Sequence, residues 1–279
     1  MKIFTSRVAL SAYLKEQQSA QKTIGLVPTM GALHAGHLSL IERARNESNV
    51  VVCSIFVNPT QFNDPADLAK YPRPIENDIE QLRNSGCDVL FMPEVSEMYI
   101  GNEEWHIDLH GLDNILEGKI RPGHYQGVTQ IVKKLFDTVQ PDKAFFGQKD
   151  YQQVMVIAEL VKQFQIPVQL VMCPIVREED GLAMSSRNVY LSSSDHEHAL
   201  VLSQALNMSE KLFPEKSLPE IKEEVSGFIN KSGGVILEYF EICDPQTLQP
   251  VSIKNGQSLV ALVAAKVGQI RLIDNVILQ

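Results

Sequence analysis

The four cysteines, Cys53, Cys87, Cys173 and Cys243, lie far apart and form no Cys-x-x-Cys pair. That spacing argues against a zinc site or a disulfide framework and leaves buried, reduced thiols as the reading. Long apolar runs are also missing. No stretch approaches the roughly eighteen uninterrupted apolar residues of a membrane span, and Met1 to Arg7 lacks the apolar run and small-residue cleavage site of a secretory signal. A cytoplasmic protein is expected, in which the sequons at Asn46, Asn207 and Asn230 carry no glycan. Positive charge is the third shortage: 25 Lys and Arg against 34 Asp and Glu give a net charge of −9. The balance excludes a protein that coats nucleic acid or an anionic membrane, but it allows local pockets for small phosphates.

What is present is an ordinary globular composition, 44% hydrophobic and 21% charged over 279 residues, enough for one large or two modest domains. Strand-like apolar runs at 24–29, 50–57, 88–92, 143–147 and 168–172 alternate with helix-like stretches near 36–48, 75–85, 127–139 and 151–164. That alternation predicts a parallel sheet, and the continuous hydrophobicity of the strands predicts burial on both faces: a Rossmann-like, doubly wound α/β domain over 1–176. From about 193 the order changes to two helices, Ser194 to Leu212 and Pro219 to Lys231, then strands at 235–243, 258–265 and 269–278. A smaller α+β domain over 177–279 follows, with 176–190 as the expected hinge. Ligands of open parallel sheets bind beyond the carboxyl ends of the strands. The tips at Asn58–Gln61, Gly147–Asp150 and Pro174–Arg177 are therefore the places to look for chemistry.

The most informative segment is Met30-Gly31-Ala32-Leu33-His34-Ala35-Gly36-His37, directly after the first of those runs. Two glycines permit a tight turn and close approach of a ligand, a helix opening near Ala35 would aim N–H groups at an anion, and His34 and His37 would share one face. The Gly-x-x-x-x-Gly spacing suggests a phosphate loop, but His37-Leu38 stands where a Walker A site needs Lys-Ser/Thr. Lys149, after Gly147-Gln148 and before Asp150, reads either as a phosphate-neutralising charge or as a solvated lysine beside a helix cap. Ser185-Ser186-Arg187 offers hydroxyls and a planar fork of donors, suited to a departing pyrophosphate or simply to solvent. Asn58 and Gln61 are amides at a strand tip, and Gln153 lies one turn into a helix. Glu117, Arg121 and His124 fall in a stretch too rich in Gly and Pro for a helix, readable as a lid or subunit contact. His106, Asp108 and His110 would share one face of a strand over 105–110, a geometry open to a metal although no zinc-type partner cluster accompanies it.

Taken together, Pro28–His37, Phe56–Phe62, Tyr71-Pro72-Arg73, Phe146–Gln153 and Met184–Asn188 closely resemble the pantoate–β-alanine ligases, in order along the whole chain. The resemblance implies the fold and chemistry of His-x-Gly-His nucleotidyltransferases. ATP and (R)-pantoate give an enzyme-bound pantoyl adenylate and pyrophosphate, and β-alanine then displaces AMP to give pantothenate, the coenzyme A precursor. It implies that ATP, accompanied by Mg2+, is held by Met30, Gly31, Ala32, Leu33, His34, Ala35, Gly36, His37, Gly147, Gln148, Lys149, Asp150, Val176, Met184, Ser185, Ser186 and Arg187. It places pantoate on Gln61 and Gln153, and β-alanine near Gln61. His37 becomes the proton donor, with His34, Lys149, Ser185, Ser186 and Arg187 also catalytic. No protein residue is implied as a resident metal ligand. A homodimer through the N-terminal domain and a C-terminal domain that closes over ATP are further implications, and neither nucleic acid nor membrane is a partner. Two departures stand out: Gln148 where the family often has Glu, and Asn77 before Asp78 where a second acid is common, so that Asp78 would act alone if it helps to place the magnesium or ribose side. A dinucleotide-forming nucleotidyltransferase and a non-catalytic ATP-binding protein remain as alternatives.

Overall fold

The computed structural model describes residues 1–101 and 103–279. Two compact units emerge: Met1–Gly147 with Gln152–Pro174, and Gln148–Tyr151 with Ile175–Gln279.

The first unit is built on six parallel strands, β1 (Lys2–Phe4), β2 (Ile24–Thr29), β3 (Val50–Ile55), β4 (Val89–Phe91), β5 (Lys143–Gly147) and β6 (Gln169–Cys173), in the order β1-β4-β3-β2-β5-β6. Its helices are α1 (Arg7–Ser19), α2 (Ala35–Glu47), α3 (Pro65–Lys70), α4 (Ile75–Asn84), α5 (Val95–Met98), α6 (Leu116–Ile120), α7 (His124–Val139) and α8 (Tyr151–Gln163). The period of two along each strand sorts side chains onto two faces. Ile24, Leu26, Val50, Val52, Val89, Phe91, Ala144 and Phe146 pack with residues of α1, α7 and α8. Val27, Val51, Cys53, Ile55, Leu90 and Phe145 pack with Leu40, Ile41 and Ala44 of α2 and Leu82 of α4. Helices therefore cover both faces, as a doubly wound sheet requires. In α7 the buried residues Val128, Ile131, Val132, Leu135, Phe136 and Val139 follow helical spacing, which makes one continuous stripe against the sheet.

Two local expectations are corrected, and two elements go unread in the sequence. The run Trp105–His110 is not a strand: its residues alternate in burial, with Ile107 and Leu109 inward, but they pair with no sheet, and His110 takes a left-handed φ of 51°. The Gly/Pro-rich stretch around Glu117 is largely helical, with only Arg121–Gly123 between α6 and α7. Gly118 is needed there because a Cβ would lie 2.5 Å from the Asp113 carbonyl oxygen. β1 and α1 carry too little apolar periodicity to be anticipated, and Leu10 and Leu14 are the buried anchors of α1.

The second unit has three antiparallel strands, β7 (Val235–Cys243), β8 (Leu259–Val267) and β9 (Ile270–Leu278), packed with α9 (Ser193–Leu212) and α10 (Leu218–Lys231) around their own core. The segment Gln148–Tyr151 groups with this unit although the chain on either side of it belongs to the first.

All four cysteines are buried thiols. Burial pushes the Cys87 thiol up to about 11 and the Cys243 thiol up to about 12. Since the thiolate is the reactive form, iodoacetamide at pH 8 is expected to label none of them in the native protein and all four after unfolding. Mass spectrometry of the alkylated chain checks this, and native labelling would contradict the burial.

Candidate active site

The connection from β2 runs through α2 to β3, on one side of β2, while the connection from β5 runs through α8 to β6, on the other. The topological switch point therefore lies between β2 and β5, where a doubly wound sheet opens a crevice. The ladder shows the opening directly. β2 pairs with β3 over all of Ile24–Thr29 but with β5 only at Gly25 and Leu26, so the carboxyl ends of β2 and β5 are not paired with each other. Met30–His37 leaves the tip of β2 at this point.

The loop is shaped by two consecutive left-handed residues, Gly31 with φ 81° and Ala32 with φ 50°. Such a turn aims successive N–H groups into one concavity, a nest that usually receives an anion. Here the anion is internal. Ala32 N–H and Leu33 N–H donate to the two carboxylate oxygens of Asp78 at 2.8 Å each. Asp78 is fully buried on α4, and burial pushes its carboxyl up from the ordinary range while the two N–H bonds pull it down. Both Asp78 oxygens therefore hold the loop, a structural role that the sequence did not indicate. At the base, Thr29 donates through Oγ1 to the Ser54 carbonyl at 2.7 Å and accepts from Gly31 N–H at 3.1 Å.

The helix start is also satisfied from within. His34 is the N-cap of α2, and its Nδ1 accepts from Gly36 N–H at 3.1 Å. His37 Nδ1 accepts from His34 N–H at 3.4 Å, and His37 N–H bonds the His34 carbonyl. The expected array of open N–H groups is therefore reduced, and the segment presents imidazoles instead. Because a backbone N–H can only donate, each Nδ1 is the unprotonated nitrogen, and the proton of each neutral ring sits on Nε2. The two rings lie 4.1 Å apart between centroids. Met30, His34, Gly36 and His37 are half-buried and Ala35 exposed, whereas Gly31, Ala32 and Leu33 are buried and Leu33 belongs to the core beneath.

Gln61, in a 3-10 turn after β3, is buried and its amide is oriented by its neighbours. Its Oε1 accepts from Asn58 Nδ2 at 3.2 Å, while its Nε2 faces Met30 Sδ at 2.9 Å. A thioether is a weak acceptor, so this N–H pair keeps most of its capacity for a carboxylate or hydroxyl. Asn58 is fixed in turn by the Gly127 carbonyl at 3.0 Å and the Tyr99 hydroxyl at 2.6 Å. Gly127 is small by necessity, since a Cβ would meet the Thr60 carbonyl oxygen at 2.4 Å. His124 is buried and its Nδ1 donates to the Gln61 carbonyl at 2.8 Å; its Nε2 then accepts from Arg121 at 3.3 Å. His124 thus supports Gln61 from within the fold. Gln152 is likewise structural, bonding the Leu112 and Ile115 carbonyls and Glu117 N–H. Gln153, next in α8, is half-buried and makes no side-chain hydrogen bond among the described residues.

In the second unit, Val176 and Met184 are brought together: Met184 N–H donates to the Val176 carbonyl at 3.0 Å, with Arg177 bridged to Ala183. The first part of the stretch expected as a hinge is a tight hairpin turning at Glu178–Gly181. Beyond it, Ser185 Oγ accepts from Arg187 N–H at 3.2 Å, which leaves the hydroxyl proton for another acceptor. Ser185, Ser186 and Arg187 are all half-buried. Asn188, given no role in the sequence reading, ties this turn to the hairpin through the Ala183 carbonyl and Glu178 Oε1. Lys149 is half-buried in a 3-10 turn, Gln148–Asp150, and forms no ion pair among the described residues. Gln148 donates its amide to Asn275 Oδ1 at 3.1 Å, a bond that a Glu at this position could not make as a carboxylate.

The His106/His110 pair is not assembled into a metal site. His110 lies instead 3.2 Å from Asp108 and 3.3 Å from Glu159. Among the described residues, the cluster with metal-ligand geometry is Glu178, Asp180 and His196. No helix among them is long and apolar enough to cross a membrane.

Comparison with known proteins gives concordant findings. The family model for pantoate-beta-alanine ligase matches residues 2–277. A pantothenate synthetase of Bacteroides thetaiotaomicron is 47% identical over 277 residues, covering 99% of this chain and 98% of its own. One from Acetivibrio thermocellus is 45% identical over 281 residues, with both chains covered completely. Among solved structures, the pantothenate synthetase of Thermus thermophilus superposes with a TM-score of 0.93 at 41% identity, covering 99% of each chain. A pantoate-beta-alanine ligase of Francisella tularensis, complexed with beta-gamma ATP and β-alanine, gives 0.82 at 38% identity, covering 99% of this chain and 97% of that one.

Proposed function

The chain belongs to the pantoate–β-alanine ligase family, and from that premise we propose that it joins (R)-pantoate to β-alanine at the expense of ATP, yielding pantothenate, AMP and pyrophosphate. A carboxylate oxygen of pantoate attacks the α-phosphorus, and the bond to the pyrophosphate oxygen breaks. The amine of β-alanine then attacks the acyl carbon of the pantoyl adenylate, loses a proton and expels AMP. No covalent enzyme nucleophile is required, so the protein's task is to position groups and to stabilise the charge on the phosphoryl oxygens.

The observation that carries this reading is the Met30–His37 loop at the switch point, where the amides of Ala32, Leu33, His34 and Gly36 are occupied from within and the two imidazoles keep their protons on Nε2. In the proposed roles, His34 and His37 Nε2–H face the α-phosphate and its bridging oxygen, and His37 passes a proton to the leaving group. Lys149 neutralises phosphate charge, and Ser185, Ser186 and Arg187 receive the pyrophosphate. The Gln61 Nε2–H pair and Gln153 bind pantoate, and Gln61 also borders β-alanine. The remaining ATP contacts proposed are Met30–Leu33, Ala35, Gly36, Gly147, Gln148, Asp150, Val176 and Met184. Magnesium belongs in this proposal to the nucleotide substrate, and Asp78, with a loop N–H on each of its oxygens, is given the role of holding the loop. A cytoplasmic homodimer completes the proposal.

Exchange of labelled pyrophosphate into ATP is expected with pantoate present and β-alanine absent, and not without pantoate. Exchange that needs β-alanine, or none with pantoate present, would overturn the adenylate route. A nucleotide retained in the product would instead identify a dinucleotide-forming enzyme, and ATP binding without turnover a relic. Within the same assay, Gln61→Glu is expected to raise the KM for pantoate at least tenfold. It exchanges the Nε2–H pair for a carboxylate that repels the substrate's own, a like-charge conflict worth more than about 1.4 kcal/mol in a desolvated site.

A further inference from the structure

We propose that Asn275 is a positioning residue for Lys149, the proposal resting on the assignment of Lys149 to the phosphates of ATP. Asn275 lies on β9, is 2% exposed, and belongs to the same unit as the turn Gln148–Tyr151. Its two Nδ2 hydrogens are divided between consecutive carbonyls, that of Gln148 at 2.9 Å and that of Lys149 at 3.0 Å. Its Oδ1 accepts the Gln148 amide at 3.1 Å. The orientation of the amide is thereby fixed, because a flipped side chain would set an oxygen against two carbonyl oxygens.

Asn275 is itself held. Its N–H donates to Asp274 Oδ1 at 2.8 Å, and the buried Asp274 carboxylate takes a two-pronged bond from Arg177 at 2.6 and 3.0 Å. At the other end of the turn, the Tyr151 hydroxyl donates to the Pro245 carbonyl at 3.1 Å. A turn of four residues pinned at both ends has little room to move, so the backbone from which the Lys149 side chain departs is set by β9. Gln148 acquires a role in the same arrangement: it fixes the amide that fixes the lysine. Partly buried carbonyls left without a donor carry a cost, which gives the clamp an energetic reason as well as a geometric one.

The test uses the full-length protein in pantoate-dependent pyrophosphate exchange, measuring kcat and the KM for ATP for Asn275→Ala, Lys149→Ala and the double variant, with thermal unfolding as the fold check. A lysine displaced by about an ångström loses on the order of 10- to 100-fold in rate. Asn275→Ala is therefore expected to lower kcat by that factor with the KM for ATP changed less than about threefold, and to cost nothing further once Lys149 is alanine. The same loss with and without Lys149, or an unchanged kcat while Lys149→Ala is slow, would overturn the positioning role alone. Lys149→Ala at the wild-type rate would remove the assignment of Lys149 and the proposal with it. Should Asn275→Ala not fold, Gln148→Met, which keeps both carbonyl bonds, enters the same cycle. Its expected loss is smaller, about three- to tenfold, and again absent in the Lys149→Ala background.

Discussion

Replacing His37 with alanine is expected to lower pantoate-dependent pyrophosphate exchange by about three orders of magnitude, within the roughly 10²- to 10⁴-fold range of a lost proton donor. Two functions disappear together in this variant. The Nε2–H, protonated because Nδ1 accepts from His34 N–H, no longer meets the oxygen on which negative charge develops. The backbone N–H of His34 also loses its acceptor, one half of the reciprocal cap at the start of α2. The second loss is small, about 0.5–2 kcal/mol for a helix cap, so the variant should stay folded with its thermal midpoint lowered by only a few degrees. Exchange within tenfold of the parent rate would refute the role of His37. A collapsed midpoint would instead show that the imidazole is chiefly a cap.

Asp78→Asn is the second large effect, although Asp78 touches no substrate in the proposed mechanism. The carboxylate accepts two adjacent N–H groups, one on each oxygen. An amide of the same shape offers one acceptor and one donor, so either Ala32 or Leu33 is left with its N–H facing an NH2 group. An unpaired buried donor costs about 1–3 kcal/mol, which for a chain of this size is a fall in thermal midpoint of roughly 2–10 °C. The functional loss should be disproportionate. Ala32, beside Gly31, is held in the strained left-handed region while Asp78 accepts its N–H, and the loop so shaped carries both imidazoles. Exchange is expected to fall at least about 100-fold, the scale of an ångström-sized misplacement. Differential scanning fluorimetry and exchange kinetics on the same preparation separate the two consequences. A destabilised protein that still exchanges at the parent rate would show that the loop keeps its shape without Asp78.

Asp78 also marks where reading along the chain stops. The eight strands β2 to β9 and the helices α2, α4, α8, α9 and α10 are legible to within a few residues, because apolar periods of 2 and 3.6 are local records of which side faces the core. α7 begins at His124, three residues before its apolar stripe suggests, since its first turn buries polar groups that bond Gln61 and the 3-10 turn. The 105–110 segment shows the opposite failure. Alternating burial without neighbouring strands imitates the sheet period, because a chain lying flat on a core can bury every second residue without pairing.

The sequence by itself determined that this is a doubly wound α/β chain whose strand tips carry Met30–His37, Gln61 and Gly147–Asp150, since periodicity and motif order are written within short windows. Only the tertiary structure decided how those groups are held. Asp78 reaches the loop from 46 residues downstream, His124 reaches Gln61 across 63, and Asn275 reaches Gln148 across 127. A buried polar group needs a partner wherever the fold supplies one, and that requirement leaves no local pattern in sequence. The tautomers of the two histidines belong to the same class of fact. Their identity and spacing stand in the sequence, but the nitrogen that keeps the proton is fixed by the backbone amides that the folded helix start places beside them.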